Sequence, residues 1–174
     1  MNALDRLWAG WRSEYIEGVT GQPEKPGGCV FCGILASGLP DEETHVLWRH
    51  PEGTAVALLN AYPYGSGHLM VMPVRHTASP EDLTPDEGDA LWQGVTDAVT
   101  ALRTAYRPEG LNLGANLGRA AGAGVPDHFH MHVLPRWAGD TNFMTSVAEV
   151  RVLPEPLSAS YRKISAAWPG GPGR

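Results

Sequence analysis

His128-Phe129-His130-Met131-His132-Val133-Leu134-Pro135 is the stretch from which the rest of the chain can be read. In extended backbone, alternate side chains share a face. The three imidazoles therefore project together at intervals of about 6.6 Å, while Phe129, Met131 and Val133 turn into a core behind them. The pattern predicts a strand over 128–135 with one chemical face and one apolar face. Taken by themselves, three imidazoles on one surface form a site, the ligand set of a single metal ion, or a solvated stripe on an edge strand.

Working upstream, Leu111 to Leu117 has strand character and is joined to the histidines by a glycine- and alanine-rich loop, Gly118 to Gly124. Before it lies the one strong helix. Thr84-Pro85-Asp86-Glu87 supplies an N-cap hydroxyl, a proline at the first helical position and a glutamate for a capping box. Leu91, Trp92, Val95, Ala98, Val99, Leu102 and Tyr106 then recur at spacings of three and four, which predicts one stripe, Trp92 included, against the sheet. Pro108 and Gly110 stop the helix. Further upstream, Val46 to Trp48, Thr54 to Leu59 and His68 to Pro73 read as short strands separated by turn residues. Downstream, a strand over Val147 to Leu153 and a helix over Ser158 to Trp168 complete the reading. The class is α+β: a mostly antiparallel sheet of about five strands with one main helix packed on it, plus N- and C-terminal extensions. Residues 1–28 form the N-terminal extension and linker, 29–168 the domain, and 169–174 a disordered tail.

The 174 residues suit one domain, with 43% hydrophobic and 18% charged residues. Thirteen basic against 19 acidic residues give a formal charge of -6, and Lys25 and Lys163 are the only lysines. That balance argues against nucleic acid as a partner, although backbone amides can still hold an anionic small ligand. No apolar run is long enough for a membrane span or a signal peptide, so a soluble cytoplasmic protein is expected. The only cysteines, Cys29 and Cys32, are spaced C-x-x-C, which in a reducing compartment denotes a metal site or a redox pair more often than a structural disulfide.

Several ordered blocks now combine. They are Leu7-Trp8-Ala9-Gly10-Trp11-Arg12, Cys29-Val30-Phe31-Cys32, Leu59-Asn60-Ala61-Tyr62-Pro63-Tyr64, Gly67-His68-Leu69-Met70-Val71-Met72-Pro73, Asn116-Leu117-Gly118, the His-x-His-x-His stretch and Pro135-Arg136-Trp137-Ala138-Gly139-Asp140-Thr141-Asn142-Phe143. Together they resemble the histidine triad (HIT) family of nucleotidyl hydrolases and transferases, and particularly the zinc-containing bacterial branch that includes diadenosine tetraphosphate phosphorylases. The resemblance implies a nucleotide or dinucleoside polyphosphate substrate attacked at its α-phosphorus by His130. A nucleotidyl-histidine intermediate is then released by water or inorganic phosphate. It further implies His132 and His128 as catalytic partners, Asn60 at the ribose, and Asn116 with the Gly118 to Gly124 amides at the phosphates. A structural Zn2+ on Cys29, Cys32, His76 and His128 and a homodimer are implied as well; no organic cofactor is. Where the family often carries glutamine and a hydroxyl before the first histidine, this chain reads Gly124-Val125-Pro126-Asp127, which leans away from hydrolysis.

Other residues take plainer readings. His68 is a structural histidine at a strand start, and His45 and His50 are solvated. Arg119 either touches a distal phosphate or faces solvent, and Asp127 either orients a histidine or repels anions. The alternatives for the whole chain are transfer or hydrolysis on another nucleotide conjugate, such as a phosphoramidate or adenylyl-sulfate, and a zinc-stabilised nucleotide-binding protein without turnover.

Overall fold

Two five-residue strands, Ala55–Leu59 and Leu69–Pro73, are buried at every position. An antiparallel pair with one solvated face would alternate, so both faces of this pair must be covered. In the computed structural model, which describes residues 28–140 and 155–170, they are. Ala57, Leu59, Leu69 and Val71 join a cluster built with the long helix, while Val56, Leu58, Met70 and Met72 join a second cluster with Phe31 on the opposite face.

The elements run α1 (Val30–Leu35), α2 (Asp41–Thr44), β1 (Val46–Arg49), β2 (Ala55–Leu59), β3 (Leu69–Pro73), α3 (Pro85–Tyr106), β4 (Gly110–Gly114), β5 (Met131–Arg136) and α4 (Leu157–Ala167), with short 3-10 turns at Pro80–Asp82 and Arg119–Ala121. The five strands form one sheet in the order β1-β2-β3-β5-β4, every neighbouring pair antiparallel. This is the expected α+β architecture, a five-stranded antiparallel sheet with one main helix. The expected strand over 147–153, the N-terminal aromatic block, the linker up to residue 27 and tail residues 171–174 lie outside the described residues.

Helix α3 begins as read. The Thr84 hydroxyl accepts from the Glu87 amide, and Glu87 Oε2 accepts from the Thr84 amide at 2.9 Å. Arg75 also donates to both Glu87 oxygens, each at 2.7 Å. Burial follows Leu91, Val95, Ala98 and Leu102. Trp92 departs from its expected place in the core and is 58% exposed. It lies about 100° further round the helix than Leu91, and the sheet meets the other side, where Gly94 sits. A Cβ on Gly94 would stand 2.7 Å from the Trp48 ring and 2.8 Å from Val71, so the glycine sets how closely α3 approaches the sheet.

The histidine strand is shorter than read. Its ladder covers Met131–Arg136, and β3 pairs with it only through Leu69↔Val133, Met70↔His132 and Val71↔Met131. Residues 128–130 lie outside that ladder, and the Phe129 amide donates instead to the Thr77 carbonyl at 2.6 Å. The alternation survives: Phe129 and Val133 are buried in the α3-side core and Met131 packs against it. β4 likewise stops at Gly114, short of the expected Leu117.

Candidate active site and metal cluster

Each histidine of the stripe has one ring nitrogen fixed by a neighbour, and the other is thereby defined. His128 is fully buried, and its Nε2 lies 2.9 Å from the Pro73 carbonyl. A carbonyl only accepts, so Nε2 carries the proton and Nδ1 is bare. That Nδ1 lies 3.4 Å from Cys29 Sγ and 3.7 Å from Cys32 Sγ, and His76 Nδ1 lies 3.4 Å from Cys32 Sγ. The four ligand atoms all fall within 4.8 Å of one another. Tetrahedral zinc with bonds of about 2.0–2.1 Å to nitrogen and 2.3 Å to sulfur separates its ligands by roughly 3.3–3.8 Å, so the donor set fits the ion in chemistry and spacing. The short helix α1 makes the fit: one turn brings both sulfurs to the same side, with the Gly33 amide donating to the Cys29 carbonyl at 2.9 Å. Burial first, and then the neighbouring Cys29 thiol, pushes the Cys32 thiol up, an effect a bound cation reverses. Burial also lowers His128, which keeps it a neutral donor.

Two residues on, His130 Nδ1 lies 2.8 Å from the His128 carbonyl. Nδ1 therefore holds the proton and Nε2 presents its lone pair. Burial pushes the His130 pKa down, partly opposed by that carbonyl, so the ring is neutral at neutral pH. Phe31 packs edge-on against both His128 and His130, with ring centroids 5.5 and 5.2 Å away.

His132 is governed by a residue read above as merely structural. His68 is buried at the start of β3, as expected, but its Nε2 lies 3.0 Å from His132 Nδ1. The Tyr64 amide donates to His68 Nδ1 at 3.0 Å, which leaves the His68 proton on Nε2 and makes it the donor to His132. Burial, and then His130, pushes His132 down to about 4. A neutral His132 whose Nδ1 accepts has its proton on Nε2, where it can donate to a ligand. The sequence held half of this signal, since strand alternation puts position 68 on the face of position 70; the pairing of Met70 with His132 came from the sheet.

His132 floors a cleft of about 300 Å³ lined by Tyr64, His68, Leu134 and the stretch Asn112 to Asn116. Asn116, expected at the phosphates, thus shares a cleft with a histidine of the stripe. Asn60 sits at the end of β2, where its Oδ1 accepts from the Tyr62 amide at 2.9 Å and its Nδ2 is 3.4 Å from His68 Nδ1. In the loop from Gly118 to Gly124, the amides of Ala121, Gly122 and Ala123 are already bonded within the loop, which narrows the set available for a phosphate. Gly118 adopts φ 77°, the left-handed region glycine favours, and Arg119 and Asp127 are exposed. His45 and His50 are half-buried rather than solvated: His45 Nδ1 lies 3.1 Å from the Glu43 carbonyl, and His50 Nδ1 lies 2.8 Å from Thr54 Oγ1.

Comparison with known proteins agrees with this fold. The family model described as the HIT domain matches residues 42–139. An AP-4-A phosphorylase of Mycobacterium tuberculosis is 38% identical over 168 residues, covering 95% of this chain and 85% of the relative. Among solved structures, a zinc-bound histidine triad family protein from Mycobacterium smegmatis superposes with a TM-score of 0.63 at 28% identity, over 80% of this chain and 92% of that one. A hypothetical histidine triad nucleotide-binding protein from Sulfolobus tokodaii gives 0.64 at 26% identity, over 80% and 91%. With the motif, the sheet order and the match over more than half its length in agreement, the chain belongs to the HIT family.

Proposed function

We propose that the protein cleaves a dinucleoside polyphosphate at an α-phosphorus by phosphorolysis, with diadenosine tetraphosphate as the reference substrate. The observation that carries the reading is the 2.8 Å contact from His130 Nδ1 to the His128 carbonyl, which leaves a neutral, buried imidazole with the lone pair on Nε2. The similarity to an AP-4-A phosphorylase supports the substrate class. In the first step Nε2 bonds to the α-phosphorus, the bond from that phosphorus to the bridging oxygen breaks, and ATP leaves with the electron pair. In the second, an oxygen of inorganic phosphate attacks the same phosphorus, the P–N bond breaks, and ADP is released with His130 restored. His132 Nε2–H donates to the phosphoryl or leaving oxygen, and Asn116 holds the phosphate from the other side of the cleft. Asn60 at the ribose completes the assignment.

Zinc on Cys29, Cys32, His76 and His128 supplies structure: a closed set of two thiolates and two imidazoles leaves no open position for substrate. It ties the C-x-x-C turn to the residue that precedes the nucleophile by two. A homodimer is proposed through the long helix and an edge strand; the exposed Trp92 on α3 and Leu113 on edge strand β4 are consistent with it. The cytoplasm is the proposed compartment.

A second reading, transfer or hydrolysis on another nucleotide conjugate, draws on Val125 and Pro126, which bring no side-chain donor to the phosphate. One experiment separates the two. Incubated with diadenosine tetraphosphate, the protein should yield ADP plus ATP only when inorganic phosphate is present, and His130→Ala should abolish the products while keeping the fold. AMP plus ATP without phosphate would replace phosphorolysis by hydrolysis. Full activity in His130→Ala would refute the nucleophile.

A further inference from the structure

We propose that the cleft between Tyr64 and the β4 edge is a second nucleobase subsite, one that holds the leaving nucleoside of a two-ended substrate. The inference rests on the nucleotidyl-transfer reading above and adds to it what the departing group must look like.

Position comes first. His130, His132, Leu134 and Arg136 share one face of the chain that forms β5. Phe31 packs at the His128 and His130 end, whereas the cleft begins at His132 and continues to Leu134. Leu134 is about 13 Å along the strand from His130, so the far end of the cleft is reached only by a group held off the attacked phosphorus by a spacer such as a chain of phosphates.

The lining then selects the group. Among the described residues it contains no lysine, arginine, aspartate or glutamate; its members are one phenol ring, two leucines, two asparagines, two imidazoles, a glycine and an alanine. Arg136, two residues beyond Leu134 on that face, is already held by the Asp140 carboxylate at 2.5 and 2.7 Å. Its third contact, 2.7 Å to Asn112 Oδ1, orients the Asn112 amide so that the NH2 is the donor a ring nitrogen or carbonyl of a base would meet. Beyond the phosphoryl contacts proposed for His132 and Asn116 at its near end, a pyrophosphate would find no cation among these residues, and a free amine no carboxylate. The Tyr64 ring, 41% exposed, lies 4.5 Å from the His68 ring and 5.9 Å from the His132 ring, and extends the stack outward at the mouth of the cleft. An aromatic platform, the apolar side chain of Leu134, amide donors and a volume of about 300 Å³ suit a base with its ribose.

Gly114 provides a test with little cost to the fold. It pairs with His132 across the β4–β5 ladder, and a Cβ built there meets nothing within 4 Å. Gly114→Val therefore puts its methyl groups into the cleft, and Tyr64→Ala removes the platform. The reading is the ratio of kcat/KM for diadenosine tetraphosphate to that for adenosine 5′-tetraphosphate, which has the same phosphates and lacks the second nucleoside. Wild type should favour the two-ended nucleotide, and each variant should lower the ratio about tenfold or more, the worth of one base stack. Equal use of both nucleotides by wild type, or an unchanged ratio in a folded Gly114→Val, overturns the subsite. Turnover of neither nucleotide defeats the nucleotidyl-transfer reading instead. Adenosine stoichiometry by calorimetry then decides the cleft: two sites per chain in wild type and one in Gly114→Val support it, and the same number of sites in both overturns it.

Discussion

The two ends of the histidine stripe carry the same side chain to opposite uses. At one end, His128 gives its Nε2 proton to the Pro73 carbonyl and turns Nδ1 toward two sulfurs in a closed cluster. Four residues on, His132 receives a hydrogen bond on Nδ1 from His68 and presents Nε2–H to an open cleft. Residue type and strand parity are identical, and both rings are kept neutral by burial. What differs is the partner on the second nitrogen: a backbone carbonyl in one case and, through His68, the Tyr64 backbone amide in the other. Both rings therefore carry the proton on Nε2, and what differs is which nitrogen the protein occupies: the main-chain acceptor takes Nε2–H of His128 and leaves the bare Nδ1 to serve as a ligand, whereas the donor on Nδ1 of His132 leaves Nε2–H to serve as a hydrogen-bond donor.

The largest effect should come from breaking the closed end. Cys29→Ser is expected to reduce bound metal, measured by mass spectrometry, from about one per chain to near zero, and to lower the unfolding temperature by about 10 °C. Metal-free wild type purified without chelators, with two freely titratable thiols, would remove the cluster from the account. At the open end, His68→Phe keeps the ring volume but deletes the donor to His132. Turnover should fall by about one to two orders of magnitude with metal content unchanged, and His68→Gln should recover part of it. Equal loss in both variants would make His68 a packing residue only.

Acid should then distinguish the stripe from the helix cap. His132 is lowered to about 4 from an ordinary value of 6.5, so the unfolded chain binds more protons between those limits. Stability should fall by about 2 to 3 kcal/mol as pH drops from 6.5 to 4 and stop falling on its account below that, a slope that His132→Gln should flatten in urea titrations. Glu87 is held down to about 2, chiefly by the Arg75 guanidinium and then by the Thr84 amide. Its contribution is complete above 4.5 and is lost as pH falls through 2. The smallest effect is expected from Glu87→Gln, which weakens the cap and the ion pair: about 1 kcal/mol, or a few degrees, with metal and turnover unchanged.

Much of this was legible in the chain. Thr84-Pro85-Asp86-Glu87 encodes its cap locally, and the structure forms it. The alternation from His128 to Val133 sorted side chains to two faces, and the faces hold even though the ladder starts only at Met131. Trp92 misled because its spacing fits a stripe whose centre only the sheet defines. His68 was undervalued because its partner is 64 residues away.

By itself, then, the sequence determined the elements and the sheet class, which follow from local periodicity, while the residues of the metal cluster and the proposed nucleophile came from the resemblance to the HIT family. Only the tertiary structure decided which nitrogen of each imidazole is bare, that His68 stands behind His132, and that Tyr64 and Gly114 border one cleft. Those outcomes depend on where distant main-chain donors and acceptors fall, and long-range packing alone sets that.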